Sequence, residues 1–250
     1  IPDSVTCIED YAFFGCTRLK SISIPNNITS IGFNAFLYCW DLQYNEYRQV
    51  KYLGNEQNPY LALIGPANKN ITSAEIIETT KIIADWAFGG CGGLRSVTMS
   101  DSVTYIGDYA FSGCSSLASI TIPDGVTCIE CGTFSKCSIT SITIPDSVTT
   151  IEASAFAGCT RLEEVILPDS MTSIGDSAFV SCDSLPSITI PNSVKYIGFG
   201  VFYGSNSLQS IDYSGSVNDW LNLTSNSGRR DDDGKTIVKC SDGEIKFKIK

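Results

Sequence analysis

Cysteine is the residue type in this chain with the widest choice of chemistry, since thiols form disulfides, bind zinc or act as nucleophiles. The sequence contains 11 cysteines. Most of them share one recurring position, shortly after a Phe and shortly before a Leu or Ile: Cys16, Cys39, Cys91, Cys114, Cys137, Cys159 and Cys182. Similar small side chains in one repeating position are typical of buried, reduced thiols that pack as apolar groups. We do not expect disulfides between them, because side chains in successive coils point the same way.

Two other motifs resemble parts of metal sites. Cys128 and Cys131 have the C-x-x-C spacing, but no second cysteine pair or histidine accompanies them, and zinc normally takes four ligands. The stretch Asp231-Asp232-Asp233-Gly234 resembles a fragment of a calcium loop, without the alternating carboxylates and terminal Glu of an EF-hand. We therefore predict a solvated loop at 231–234, no metal site and no cofactor.

Composition bounds the function further. The chain has no histidine, which removes the usual general base at neutral pH and every His-containing nucleophilic or metal site. The acidic residues occur mostly at turn positions such as Asp101, Asp124 and Asp146, where turn formation accounts for them. The net charge of -10 disfavours nucleic acid and anionic membranes as partners. We expect that the chain is not an enzyme, binds no nucleic acid and does not insert directly into a membrane.

The elements that position these residues form an internal repeat. An apolar residue followed by Pro recurs mostly every 23 residues, for example at Ile1-Pro2, Ile24-Pro25 and Leu167-Pro168. Each period follows the pattern L-x-x-I-x-I-P-x-x-V-x-x-I-x-x-x-A-F-x-x-C. Columns of Ile and Phe at fixed spacing indicate coils that stack and share one core. The pattern predicts a solenoid of right-handed coils, with a parallel β-sheet on the concave face and short strands or helical turns on the other wall.

The repeat also suggests boundaries. We predict a solenoid of about ten rungs over residues 1–224, followed by a loop and a C-terminal cap over 225–250. One period is too long, and near 43–70 the aromatic and β-branched stretches 43–53 and 60–64 flank a Gly/Asn-rich loop. This predicts a β-hairpin insertion that projects from the solenoid. It is either a tolerated insertion or a lobe that shapes a ligand site.

The repeat units resemble a known family. The stretches ITIPDSVTTIEASAFAGCTRLEEV and ITIPDGVTCIECGTFSKCS are similar to the 23-residue leucine-rich repeats of the BspA-like family, and the likeness covers essentially the whole chain. The resemblance implies a protein at the cell surface or secreted, with any signal and anchor outside this fragment. It also implies adhesion to host matrix proteins, cell-surface proteins or glycans, and it transfers no catalytic residue.

The candidate binding residues lie in the strand that precedes each Pro. In the segment 117–122, read as a short strand, Leu117, Ile120 and Ile122 are expected to face the core, so that Ser119 and Thr121 point outward. Stacking turns the outward residues into two ladders on the concave sheet. The first ladder consists of Ser21, Ser73, Ser96, Ser119, Ser141, Glu164, Ser187 and Ser210. The second consists of Ser23, Glu75, Thr98, Thr121, Thr143, Ile166, Thr189 and Asp212. The candidate binding residues are the members of both ladders between positions 73 and 189.

Three interpretations of these ladders remain open at this point. Extended solenoid surfaces commonly bind partners, and the Ser/Thr ladders favour weak, multivalent recognition because they lack the Trp, Tyr and Arg anchors of strong interfaces. Alternatively, the hydroxyls are soluble filler and the array is a spacer that presents another domain. The regular Thr ladder also suggests an ice- or mineral-ordering surface, against which the curved sheet and the Ser-rich first ladder argue.

Overall fold

The repeats stack as successive coils of one solenoid. The computed structural model describes residues 1–224 and 236–246, and the described residues form about ten turns with parallel strands. The elements in chain order are β1 (Cys7–Ile8), β2 (Ser30–Ile31), β3 (Asn45–Tyr47), β4 (Val50–Leu53), β5 (Ala62–Pro66), β6 (Ser73–Glu75), β7 (Ile82–Ile83), β8 (Ser96–Thr98), β9 (Tyr105–Ile106), β10 (Cys128–Ile129), β11 (Ser141–Thr143), β12 (Thr150–Ile151), β13 (Glu164–Ile166), β14 (Ser173–Ile174), β15 (Ser187–Ile190), β16 (Tyr196–Ile197), β17 (Ser210–Tyr213), α1 (Val217–Leu223), β18 (Ile237–Cys240) and β19 (Gly243–Lys246).

Strands from successive coils line two walls. The two-residue strands form a short-strand wall, in which β10, β12, β14 and β16 pair in parallel and in order. Outside the insertion, strands of three or four residues form a long-strand wall, with the parallel pairs β6–β8, β11–β13 and β15–β17. Neighbouring strands are one repeat apart in sequence, so corresponding side chains of successive coils lie side by side. This confirms the predicted leucine-rich repeat solenoid.

A column of phenylalanines fills the core between the walls. Rings of successive coils stack nearly parallel, with centroids 5.3 Å apart for Phe88 and Phe111 and for Phe156 and Phe179. Phe134 lies between these pairs, 5.7 Å from Phe111 and 5.5 Å from Phe156, and is fully buried. Each such ring removes apolar surface from water, which stabilises the fold by roughly 2 kcal/mol per side chain. The stacked Phe rings thus help to hold successive coils in register.

Two positions of the turn that follows each short strand adopt left-handed backbone angles. They lie two residues before and two residues after the core Phe, as at Ser154 (φ 57°) and Gly158 (φ 71°) around Phe156. Glycine adopts this region without steric cost, and serine is uncommon there. The repeat therefore fixes the backbone conformation at these positions, while the residue type varies from coil to coil.

The insertion is built into the solenoid, and the prediction that it projects is therefore wrong. Its strands β3, β4 and β5 are antiparallel, and Arg48 and Gln49 make the tight turn between the first two with positive φ at both positions. Strand β5 then pairs in parallel with β7 of the short-strand wall. Tyr52 and Leu63 are fully buried, because the strands replace part of the stacking surface that a regular coil would supply.

The segment 117–122 forms no strand with its neighbours, in contrast to the prediction. A strand requires a hydrogen-bonded ladder with a partner. Thr140 N–H still donates to Ala118 O across the coils at 3.1 Å. The side-chain alternation is as expected at both ends, with Leu117 and Ile122 buried, but Ile120 is only half-buried.

The last described coil is covered by a helix and a hairpin. Ser216 caps helix α1, and Trp220 of this helix packs against Tyr213 with ring centroids 5.2 Å apart. Strand β18 adds to β17 in parallel, and β19 pairs with β18 antiparallel. The predicted solvated loop at 231–234 lies outside the described residues. Among the described residues, no helix is long and apolar enough to cross a membrane.

Candidate binding face

The sequence-predicted site residues all point outward from the long-strand wall. In β11, Ser141 and Thr143 are exposed while Ile142 between them is buried, and β6, β13 and β15 repeat this alternation. We call this surface the hydroxyl face. It comprises Ser73, Glu75, Ser96, Thr98, Ser119, Thr121, Ser141, Thr143, Glu164, Ile166, Ser187 and Thr189. Period-two alternation places each of these side chains in solvent.

Backbone pairing brings the members of each ladder together in blocks. Ser73 is paired with Ser96 and Glu75 with Thr98. In the next block, Ser141 is paired with Glu164 and Thr143 with Ile166. The segment with Ser119 and Thr121 lies between these blocks and forms no β-ladder with either of them. The hydroxyl face is therefore a series of paired patches and not one continuous sheet.

The hydroxyls of this face are available to a partner. Glu75 is the exception among the predicted site residues, since it forms an ion pair with Arg48 and lies 3.4 Å from the Tyr47 hydroxyl. The other hydroxyl and carboxylate side chains of the face make no side-chain hydrogen bond with any part of the chain that the structure describes. Each hydroxyl can donate one hydrogen bond and accept others. The arrangement suits hydrogen bonding to a peptide backbone or a glycan.

The structure adds two features at the ends of these ladders that the sequence did not predict. The C-terminal strand β18 pairs Asp212 with Lys239, whose Nζ lies 3.7 Å from Asp212 Oδ1, so the ladders end on an exposed ion pair. At the other end, a cleft of 490 Å³ is lined by Ser21, Ser23 and the loop of the insertion. Asn55 lines this cleft, and its side-chain amide donates to Ile24 O at 2.8 Å. The amide-rich loop 54–59 was the available signal in the sequence.

The cysteine column has a structural function that sequence spacing did not predict. The thiol of Cys137 donates to Phe111 O at 3.1 Å, and the thiol of Cys159 donates to Phe134 O at 3.1 Å. Each thiol thus bonds the core Phe carbonyl of the preceding coil. Burial raises the pKa of Cys159 to about 12 and that of Cys91 to about 11. Such thiols stay protonated at neutral pH and are poor nucleophiles.

Cys128 and Cys131 lie outside this column and are half-buried. The Cys131 thiol contacts the Tyr109 hydroxyl at 3.5 Å, and burial raises the pKa of Cys128 well above its usual value. No group of three or more cysteine, aspartate or glutamate side chains in the described part of the chain is placed to hold a metal ion.

Comparisons with known proteins agree with this architecture. A family model for the BspA type leucine-rich repeat region matches in six copies, over residues 1–57, 67–138 and 127–222. A leucine-rich cell surface protein from Faecalibacterium prausnitzii is 35% identical, with 91% of this chain and 56% of that chain covered and a TM-score of 0.56. No curated protein matches the chain significantly.

Two further solved structures share the fold. A leucine-rich repeat protein from Bacteroides ovatus is 25% identical, with 88% of this chain and 60% of that chain covered and a TM-score of 0.55. The pneumococcal vaccine antigen PcpA is 17% identical, with 89% and 56% covered and a TM-score of 0.61. The chain therefore spans less than two thirds of the length of these relatives.

Proposed function

Because the chain belongs to the BspA-type leucine-rich repeat family, we propose that it is a non-enzymatic binding module of a cell-surface or secreted protein. Its function is adhesion, and its hydroxyl face recognises protein or glycan partners. The partners are host matrix proteins, cell-surface proteins or glycans. The description of the relative from Faecalibacterium prausnitzii as a cell surface protein supports this location.

One observation carries the proposal: repeated hydroxyls stand in register on a solvent-facing wall without internal hydrogen-bond partners among the described residues. Ser73 and Ser96 are paired across adjacent strands, as are Ser187 and Ser210. The repeat register gives these hydroxyls a common direction and one spacing over successive coils. A partner with its own regular spacing of polar groups can therefore bond several of them at once.

The chemistry of the face sets the strength of binding. Tight interfaces depend on buried Trp, Tyr and Arg anchors, and the hydroxyl face offers Ile166 as its exposed apolar member. We therefore expect monovalent dissociation constants between roughly micromolar and millimolar. Repetition over a longer array raises the avidity, because linked sites act at a high effective concentration.

The experiment is a binding assay of the purified chain against immobilised matrix proteins, mucins and a glycan array. The variant Thr98→Lys/Thr121→Lys/Thr143→Lys replaces outward hydroxyls in three successive coils with long cationic side chains. We expect this variant to lose at least about tenfold in affinity. Its matched control is Thr104→Lys/Thr127→Lys/Thr149→Lys, which makes the same changes at exposed positions of the same coils on the short-strand side.

The outcomes separate binding from a spacer function. Loss of binding in the first variant alone supports the hydroxyl face as the site. Equal loss in both variants attributes the effect to added charge and contradicts the proposal. If the natural chain binds nothing in the panel, the array is a spacer that presents another part of a longer protein.

A further inference from the structure

A second exposed surface lies along the turns that follow the short strands, where aromatic rings form one continuous strip. Ring centroids of neighbours along this strip are 5.3 to 5.6 Å apart. We define the aromatic strip as Trp40, Tyr38, Phe14, Tyr11, Phe33 and Trp86. Trp40 is 73% exposed. Contiguous exposed apolar surface on a soluble protein marks an interaction site more often than chance.

The fold does not require aromatic residues at these positions. Tyr11 and Trp86 occupy the left-handed position before the core Phe, with φ of 57° and 56°. In later coils the same position holds Ser154 and Ser177, with φ of 57° and 56°. Tyr38 occupies the second left-handed position, with φ 63°, where most other coils have glycine.

Bulky residues in the left-handed region are uncommon because Cβ crowds the backbone. The cost is of order 1–3 kcal/mol at each position, compared with a residue that adopts it freely. Serine carries the same Cβ, so the added strain belongs to Tyr38, where glycine serves the same turn in most other coils. Strain that the fold does not need indicates a function for the side chains themselves.

The insertion opens the strip into a cleft. It separates the turn with Phe33 from the turn with Trp86, and the cleft between them has a volume of 320 Å³. Asp85 and Lys69 also line it. The Lys69 ammonium group donates to Gly89 O at 2.6 Å, so it is already hydrogen-bonded within the chain.

Carboxylates accompany the strip. Asp10 directly precedes Tyr11 and Asp85 directly precedes Trp86, and in the next coil Asp108 precedes Tyr109, which stacks on Trp86 at 4.9 Å. Each of these carboxylates accepts a backbone N–H of the following coil, as Asp85 does from Asp108 N at 2.9 Å. None of them has an ion-pair partner in residues 1–224 or 236–246. Burial, followed by the charge of Asp108, raises the pKa of Asp85 to about 7.

We propose that the aromatic strip and the carboxylates beside it bind a Lys- or Arg-rich segment of a partner protein. Cations attract the faces of Trp and Tyr rings, and neighbouring carboxylates add charge complementarity. The apolar stems of Lys and Arg cover ring surface while their charged ends reach the carboxylates. This site is on a different side of the solenoid from the hydroxyl face and does not depend on it.

Charge decides between the candidate occupants. The net charge of the chain is -10, and the strip has carboxylates at its side, so an acidic peptide is repelled. A neutral glycan can stack on the same rings and donate hydroxyl hydrogen bonds to the carboxylates, but it brings no positive charge to them. A cationic segment uses the rings and also the negative charge, which is why we assign it as the occupant.

The test is fluorescence anisotropy with a labelled oligo-arginine peptide, with oligo-glutamate and neutral oligosaccharides as comparison probes. The variant Trp40→Ser/Trp86→Ser installs the residues that Ser115 and Ser154 provide at the same positions of other coils, so the turns are retained. We expect roughly tenfold weaker binding of oligo-arginine by this variant. Asp85→Asn/Asp108→Asn keeps the acceptors for the backbone N–H groups and should weaken binding severalfold.

The control is Tyr203→Ser, which removes an aromatic side chain of 60% exposure far along the chain from the strip and should leave the affinity unchanged. Circular dichroism checks that every variant folds. Equal binding by the natural chain and Trp40→Ser/Trp86→Ser would overturn the proposal, because net acidity alone would then explain the binding. It is also overturned if oligo-arginine does not bind, or if oligo-glutamate or a neutral oligosaccharide binds more tightly.

Discussion

A thiol and a hydroxyl are interchangeable at one position of this repeat. Ser205 takes the place of cysteine in its coil, and its hydroxyl donates to Phe179 O at 2.8 Å while accepting the N–H of Cys182 at 3.0 Å. Cys182 makes the corresponding thiol bond to Phe156 O at 3.4 Å. The column is therefore a hydrogen-bonding position as well as a packing position.

This equivalence predicts the effect of substituting Cys159, which is fully buried. Cys159→Ser retains a donor to Phe134 O, so we expect its free energy of unfolding to stay within roughly 1 kcal/mol of the natural chain. Cys159→Ala removes the donor and leaves a small void, which costs about 1–2 kcal/mol. Urea unfolding measures both. If Ser is more destabilising than Ala, packing and not hydrogen bonding governs the column.

At the scale of single residues, the sequence predicts which way a side chain points better than which atoms it contacts. Alternation alone places Ser141 and Thr143 in solvent, and column membership places Cys137 in the core, as the structure shows. The same prediction is wrong for Cys16 in the first coil, which is exposed. The thiol-to-carbonyl bonds depend on how closely one coil packs on the next, which no residue type encodes. The aromatic strip was missed because repeat analysis emphasises the residues that recur, and the strip occupies positions that vary.

Among the elements, the insertion departs most from expectation. Aromatic and β-branched stretches around a polar loop correctly predict antiparallel strands, but they do not tell whether the strands project or pack. Strand β5 has its own hydrogen-bonding partner in β7, and this pairing draws the insertion into the short-strand wall. Residues 117–122 have strong β-propensity but form no strand, because a strand also needs a hydrogen-bonded neighbour.

Because the insertion is packed into the solenoid, truncating one of its buried side chains should destabilise the fold as truncating a core residue does. Tyr52 is fully buried in the main core cluster, whereas Arg48 at the turn between β3 and β4 has an exposed side chain. We expect Tyr52→Ala to lower the free energy of unfolding by about 3–5 kcal/mol. Arg48→Ala should change it by less than about 1 kcal/mol, since its ion pair with Glu75 is exposed. Thermal and urea unfolding of the two variants provide the comparison. A mild effect of Tyr52→Ala would mean that the strands are dispensable.

Across the whole molecule, the insertion divides the hydrophobic core. Leu53 and Ala62 belong to the cluster of the first coils, whereas Tyr52 and Leu63 belong to the cluster of the remaining coils. Adjacent residues of β4 and β5 point to opposite faces, so each strand contributes to both clusters. In a solenoid each coil contacts only its neighbours, so a division of the core is also a division of cooperativity.

Hydrogen exchange should resolve the two parts. The amide of Gly32 donates to Ile8 O at 2.8 Å, and the amide of Gly175 makes the equivalent bond to Ile151 O at 2.7 Å. Because the first cluster is smaller, we expect the Gly32 amide to exchange with protection on the order of tenfold lower. Native-state exchange followed by mass spectrometry or NMR makes this comparison. Equal protection at both glycines would show that the solenoid opens as one unit.

The turn that contains each cysteine also tolerates a change in length. Ile139 follows Cys137 after one residue fewer than Leu117 follows Cys114, yet the thiols of Cys137 and Cys159 both reach a Phe carbonyl at 3.1 Å. The contacts that the Phe and Cys columns make between coils therefore do not depend on the length of this loop. In evolutionary terms, a gene of this kind can gain or lose whole repeats by recombination. The proteins that descend from it then differ in the length of the solenoid, while each keeps the same contacts between successive coils.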